Sequence, residues 1–183
     1  AWVVFVLALV LLDLVVYLQH VAFHASPVLW RLHRMHHADT DMDLTNGLRF
    51  HTLEILLSML LKMAVVWVLG PPAAAVVVFE VLLNALAVFN HSNVAVPLRV
   101  ERWLRLAVVT PDMHRIHHSW HPDEHNSNYG FNLTLWDRWF GTYRAEPKDG
   151  HLHMTLGLAD FRAPEWRRLD PRQQPVNALE VQV

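Results

Sequence analysis

Three long apolar runs, separated by polar stretches, set the pattern of the chain. The first, from Ala1 to Leu18, is broken only by Asp13 and is near the length needed to cross a hydrocarbon core of roughly 30 Å. The second covers Leu53 to Leu69, with Lys62 as the charge in its interior. At ~1.5 Å per residue a helix there is ~26 Å long and spans barely, helped by snorkelling at its ends. Gly70-Pro71-Pro72 then stops the helix and turns the chain. The third run, Ala73 to Phe89, is interrupted by Glu80 and Asn84. Two apolar helices joined by so short a turn predict a transmembrane hairpin, and the whole reads as an all-α, integral-membrane helical bundle. A soluble bundle with buried hairpin helices is the alternative.

The polar stretches complete the outline. Gln19 to about His51 is rich in histidine, and Val100 to Val109 sets charges opposite Trp103, Leu104 and Leu106, as in a short helix lying in the membrane interface. From Pro111 to about Tyr143 the chain is polar and aromatic; beyond Glu146 it is rich in Pro, Arg and Asp. Residues 1–145 are therefore taken as one membrane domain and 146–183 as a tail packed loosely on the soluble side. A hairpin returns the chain to the face it left, so the histidine-rich segments before and after it share one face. The arginines from Arg31 to Arg144 fall on that face, while the Gly-Pro-Pro turn has no charge. By the positive-inside tendency the histidines form a cytosolic, helical cap on a multi-pass protein.

Composition sharpens this. Of 183 residues, 53% are hydrophobic and 17% charged, which opposes a soluble reading. There are no cysteines, so disulfides and thiolate-held zinc or iron–sulfur sites are excluded. The net charge of -2 comes with no basic stripe, so no nucleic-acid partner is expected. The first apolar run starts at Ala1 with no charged segment ahead of it; it is read as the start of a trimmed chain and not as a signal peptide. The unusual figure is 14 histidines against 15 Lys and Arg.

These histidines are grouped. His20 and His24 stand at i and i+4, one face of a helix. His33-x-x-His36-His37 and His114-x-x-His117-His118 repeat one spacing on either side of the hairpin. So many buried imidazoles would be costly unless something bound them. His91, where the third run ends, emerges on the same face; His51, opening the second, reads equally as a ligand or as a hydrogen-bonding partner of one. His121, His125, His151 and His153 sit among polar residues and read as surface histidines. Eight to ten imidazoles exceed the roughly four to six ligands of one ion, so two metals are expected, and imidazole alone does not choose among iron, zinc and copper. A site at the membrane surface suits a lipid, and oxidising an unactivated C–H bond needs a redox metal and O2.

At these residues the sequence resembles the fatty acid hydroxylase and sterol desaturase superfamily of membrane di-iron enzymes. The likeness runs from about Asp13 to Tyr143. It rests on the three histidine groups, Leu48-Arg49-Phe50-His51, Phe89-Asn90-His91-Ser92-Asn93, Thr110-Pro111-Asp112 before the last box, Asn128-Tyr129-Gly130, and the stretch Leu135 to Tyr143. One departure is Val21, where the family often has arginine. The resemblance implies two iron ions held by His20, His24, His33, His36, His37, His114, His117 and His118, with His91 as a ninth ligand and His51 as a tenth. It also implies O2 as co-substrate, a separate electron donor (reductase, ferredoxin or cytochrome), and hydroxylation or desaturation of a lipid. Asp39, Asp41, Asp43, Asp112 and Asp123 are candidates to orient imidazoles. Asp13, two turns before His20, should have a buried partner. Asn128 and Asp137 would fix the loop after the last box, and Trp103, Trp136 and Trp139 would mark the interface. Two rivals are a histidine-rich metal transporter or metal-handling protein, opposed by clusters confined to one face, and a b-type haem protein, which needs only two of these histidines.

Overall fold

A computed structural model describes residues 2–162, and these are helical, with two isolated antiparallel bridges (Val108 with Leu133, Ser119 with Leu156) and no strand among the described residues. Among the described residues three helices are long and apolar enough to cross a membrane: α1 (Trp2–Ala25), α3 (Thr52–Leu69) and α4 (Ala73–His91). The sequence runs foretell them closely, but α1 continues past the apolar residues to carry His20 and His24 on its last turns. α2 (Pro27–His37) starts at once, because Ser26 caps it and Pro27 at its first position is pre-set for a helix. α3 ends on Gly70, whose left-handed φ of 56° lets its N–H close on the Val66 carbonyl; Pro71 and Pro72 then redirect the chain into α4. The hairpin is as expected.

The helices that face lipid and those that face protein differ plainly. Only Glu54 is buried on α3, while its Leu56, Leu60 and Trp67 stand open, as suits a helix with hydrocarbon for a neighbour. α1 packs centrally, with Leu12 and Val16 against Phe79 of α4, and Tyr17 against Tyr129 and Trp136 of the cap. Asp13 has the buried partner that its position demands, but that partner is the Trp136 indole N–H at 2.8 Å. Trp136 is therefore an interior anchor and not an interface marker, whereas Trp103 and Trp139 are exposed.

The cap follows α4. α5 (Leu98–Leu104) is the short helix expected near residue 100. Its buried Glu101 accepts from the Thr110 hydroxyl (2.7 Å), and Thr110 in turn caps α6 (Pro111–His117). α7 (Pro122–His125) and α8 (Leu135–Phe140) finish the cap. The start of the expected loose tail is tied down. Lys148 N–H donates to buried Glu124 (2.6 Å), Trp120 N–H to the Thr155 carbonyl (3.0 Å), and Gly157 N–H to the His118 carbonyl (3.1 Å). The remainder of that tail, 163–183, lies outside the described residues.

Candidate metal centre

The ends of α1, α2, α4 and α6 bring nine histidines together in two groups. One holds His20, His24, His33, His37 and His117; the other holds His36, His91, His114 and His118. In each group the ligand atoms lie within 4.8 Å of one another. All but His24 are buried, although they are polar. His51 does not join them. It caps α3, where its Nδ1 accepts from the Leu53 N–H at 3.1 Å, so its lone pair is spent on the helix end.

Hydrogen bonds on the outer side of the rings fix how they face inward. His20 Nδ1 meets the Tyr129 carbonyl (2.8 Å) and His117 Nδ1 the Ser127 carbonyl (2.8 Å). His91 Nδ1 meets the Ala87 carbonyl (2.7 Å) and His36 Nδ1 the Arg49 carbonyl (3.3 Å). A carbonyl oxygen only accepts, so the proton of each neutral ring is on Nδ1 and Nε2 carries a bare lone pair. Burial keeps the rings neutral: it pushes His33 down to about 3, and it holds His36, His37, His114, His117 and His118 well below the usual histidine value, with neighbouring imidazoles adding to the effect. Yet His20 Nε2 faces His117 Nε2 at 3.0 Å, and His36 Nε2 faces His91 Nε2 at 3.1 Å. Two lone pairs at that distance repel unless a cation lies between them. One such pair exists in each group, so the residues present fit two metal ions.

A carboxylate that sequence reasoning missed completes the first group. Glu54 Oε1 accepts from His33 Nδ1 at 2.6 Å, both buried, which is how a ligating imidazole is commonly oriented. Its signal was faint, a single acid three residues after His51 at the head of an apolar run. None of the five aspartates proposed for that task bonds a box histidine. Asp43 caps its own turn through Thr45, Asp112 meets Arg115, and Asp123 holds Arg144 and Lys148. Asp41 contributes its carbonyl to Asn46. Asp39 comes nearest, pairing with Arg49, whose carbonyl receives His36. His121 pairs with Asp149 and His151 lies near Glu146 at the surface, but partly buried His125 stacks on Trp30, ring centroids 5.5 Å apart, beside His24 and His37.

The loop after the last box supplies the carbonyls of Ser127 and Tyr129, so its shape sets the rings of His117 and His20. Asp137 accepts from the N–H groups of Tyr129 and Gly130 (both 2.8 Å) and from the Thr142 hydroxyl (2.7 Å). Asn128, at a left-handed φ of 50°, bonds the Met113 and Arg144 carbonyls and the Arg144 N–H. Both residues hold the loop, as their placement in the sequence predicts. At Gly130 a methyl group would come within 2.6 Å of Asp137 Oδ2 and 2.8 Å of the Leu133 carbonyl. Gly130→Ala is expected to destabilise the fold by about 2 kcal/mol or more and to weaken metal retention. Thermal unfolding and metal analysis of that variant would check it, and a wild-type melting curve would refute it.

The family model described as fatty acid hydroxylase matches residues 5–142. Ornithine lipid hydroxylase OlsE of Rhizobium tropici is 33% identical over 143 residues, 78% of this chain and 42% of that protein. Alkylglycerol monooxygenase of Xenopus tropicalis is 30% identical and that of Homo sapiens 31%, each over 128 residues, 69% of this chain and 27% of the relative. The chain thus spans less than half the length of these relatives. No solved structure matches it significantly. With three helices fit to span a bilayer and a matched region that contains all nine clustered histidines, this membrane protein belongs to the fatty acid hydroxylase family.

Proposed function

We propose that this chain hydroxylates a lipid with O2 at a pair of iron ions, drawing electrons from a separate reductase, ferredoxin or cytochrome. The observation that carries the reading is the bare Nε2 pair in each histidine group, His20 with His117 and His36 with His91. The first ion would be held by His20, His24, His33, His37 and His117, the second by His36, His91, His114 and His118. Iron bound there supplies the activation of O2 that an unactivated C–H bond requires. Hydroxylation is favoured over desaturation because the relatives are named as a hydroxylase and as monooxygenases. Residues 1–145 are taken as the membrane domain and 146–183 as its tail, with the histidine face on the cytoplasmic side.

The chain's own residues would bind and shield the substrate. A cavity of about 280 Å³ begins beneath His20, His33 and Glu54 and runs between α1, α3 and α4, walled by Phe23, Phe50 and Phe131. It is too small for a whole lipid and suits a length of chain, which the aromatic wall would keep dry. The carbonyls behind His20, His36, His91 and His117, with Glu54 behind His33, hold the imidazoles in place through each turnover.

The test is the metal content and absorption spectrum of detergent-purified protein from iron-replete cells, followed by a lipid-product assay with a reductant. About two irons per chain, no Soret band and a hydroxylated lipid are expected. A folded, monodisperse sample without metal, or one carrying haem, would defeat the proposal.

A further inference from the structure

One side of the cavity is more polar than a hydrocarbon chain requires. Glu54, Ser58 and Lys62 lie at i, i+4 and i+8, one stripe on α3, and all three line the cavity together with Gln19 of α1 and Asn84 of α4. The rest of α3 from Leu53 to Leu69 is apolar and largely open to lipid. Eight residues along a helix is about 12 Å, so Lys62 stands far below the histidines, near the middle of its span. An ionisable residue at such a depth is costly and marks function more often than packing.

Lys62 has one partner there. Its Nζ reaches both carboxylate oxygens of Glu80, at 2.7 and 2.9 Å. The Ser58 hydroxyl donates to Gln19 Oε1 (3.3 Å), and the Asn84 amide donates to the Glu80 carbonyl (2.7 Å). An ammonium has three N–H groups and an amide two, so Lys62 keeps one donor after serving both oxygens, and the Gln19 amide keeps its own. Hydrocarbon offers no water to receive them. A clamp between α3 and α4 explains the ion pair, but it does not explain why Ser58 of the same face and Gln19 of α1 line the cavity that opens at the metal centre. At the metal-side end the unpartnered group is an acceptor, Glu54 Oε2, whereas at the depth of Lys62 the spare group is a donor, so what reaches that depth should bring an acceptor.

We propose that the cavity binds a lipid whose chain carries an acceptor oxygen, such as an ester carbonyl, about 12 Å below the metal-side end of the cavity, where Lys62 receives it. The inference rests on the reading of this cavity as the substrate site. It makes Lys62 the residue that selects among lipids, while the histidines and Glu54 serve every lipid alike. The acceptor also fixes how far the chain slides along α3, and so which carbon comes to rest beneath His20 and His33.

Fluorescent lipid probes of matched length test this on the protein in nanodiscs. One has an unbroken alkyl chain; the others carry a single ester at successive positions. Wild type is expected to bind one ester position about tenfold more tightly than the alkyl probe. In Lys62→Met/Glu80→Leu, which removes the pair without stranding a charge, that preference should vanish while alkyl binding stays. Lys62→Arg, which keeps a donor and the ion pair, should retain it. No ester preference in wild type, or one that survives in the double variant, would overturn the assignment. The wild-type comparison stands whether or not the double variant folds. Metal content in the same samples is a separate reading: full metal without ester preference fails this inference alone, and loss of metal in wild type fails the site itself.

Discussion

Replacing His117 with alanine is expected to abolish lipid oxidation and to lower bound metal from about two ions per chain to about one. His36→Ala should do the same through the other group. Each loss is expected from its own group, since His117 sits with His20, His24, His33 and His37, while His36 sits with His91, His114 and His118. His36→Ala leaves three imidazoles in its group and His117→Ala leaves four, so His36→Ala should release its ion more completely. His24→Ala is the mildest case. Its ring is partly exposed and its Nδ1 reaches Asn126 Oδ1 only at 3.3 Å, so it should weaken binding without emptying the site. Metal analysis by mass spectrometry, with turnover on the same samples, reads all three. Two ions and wild-type turnover in either His36→Ala or His117→Ala would sink the ligand assignment.

The partition of the boxes shows what a sequence can and cannot convey. Spans and hairpin were legible because twenty or so apolar residues between helix stops have few other uses, and the boxes were legible as imidazoles that the fold would gather in one place. A box might then be expected to stay in one group, and His20 and His24 do, but the structure divides each H-x-x-H-H box between the two groups. His33 and His37 go to one group and His36 to the other; His114 and His118 go to one and His117 to the other. Residues at i and i+4 share a helix face, while neighbours such as His36 and His37 differ by about 100° in direction. That rule was available from spacing alone. What spacing could not give is tertiary. Glu54 becomes the partner of His33 only because α2 packs against the head of α3, and Asp13 meets Trp136, a residue 123 positions away, rather than a histidine on its own helix. His51 resembles a ligand until its lone pair is seen to cap α3.

Acid should release the metal and soften the fold together, beginning well above the range where carboxylates titrate. Burial pushes His33 from 6.5 down to about 3 and holds His36, His37, His114, His117 and His118 well below 6.5. A base with a lower folded than unfolded pKa binds protons more readily when unfolded. The unfolded state therefore gains protons as pH falls through 6.5 toward 3, and stability falls with it; above 6.5 the contribution is whole. Metal bound there would deepen the effect, because each ligand must be neutral and protons compete for its lone pair. Chelation near pH 7 is expected to lower the melting temperature by about 10 °C, and acidification to about pH 5 should strip metal and narrow that gap. Ion pairs of the usual kind act elsewhere: Lys148 and Arg144 hold Asp123 below its ordinary 3.8, so its contribution fades only in stronger acid. A loss between about pH 6.5 and 5 is thus the histidines' own signature. A melting temperature indifferent both to chelator and to pH across that window would mean that the facing imidazoles hold no cation, and the case for a metal centre would fall with it.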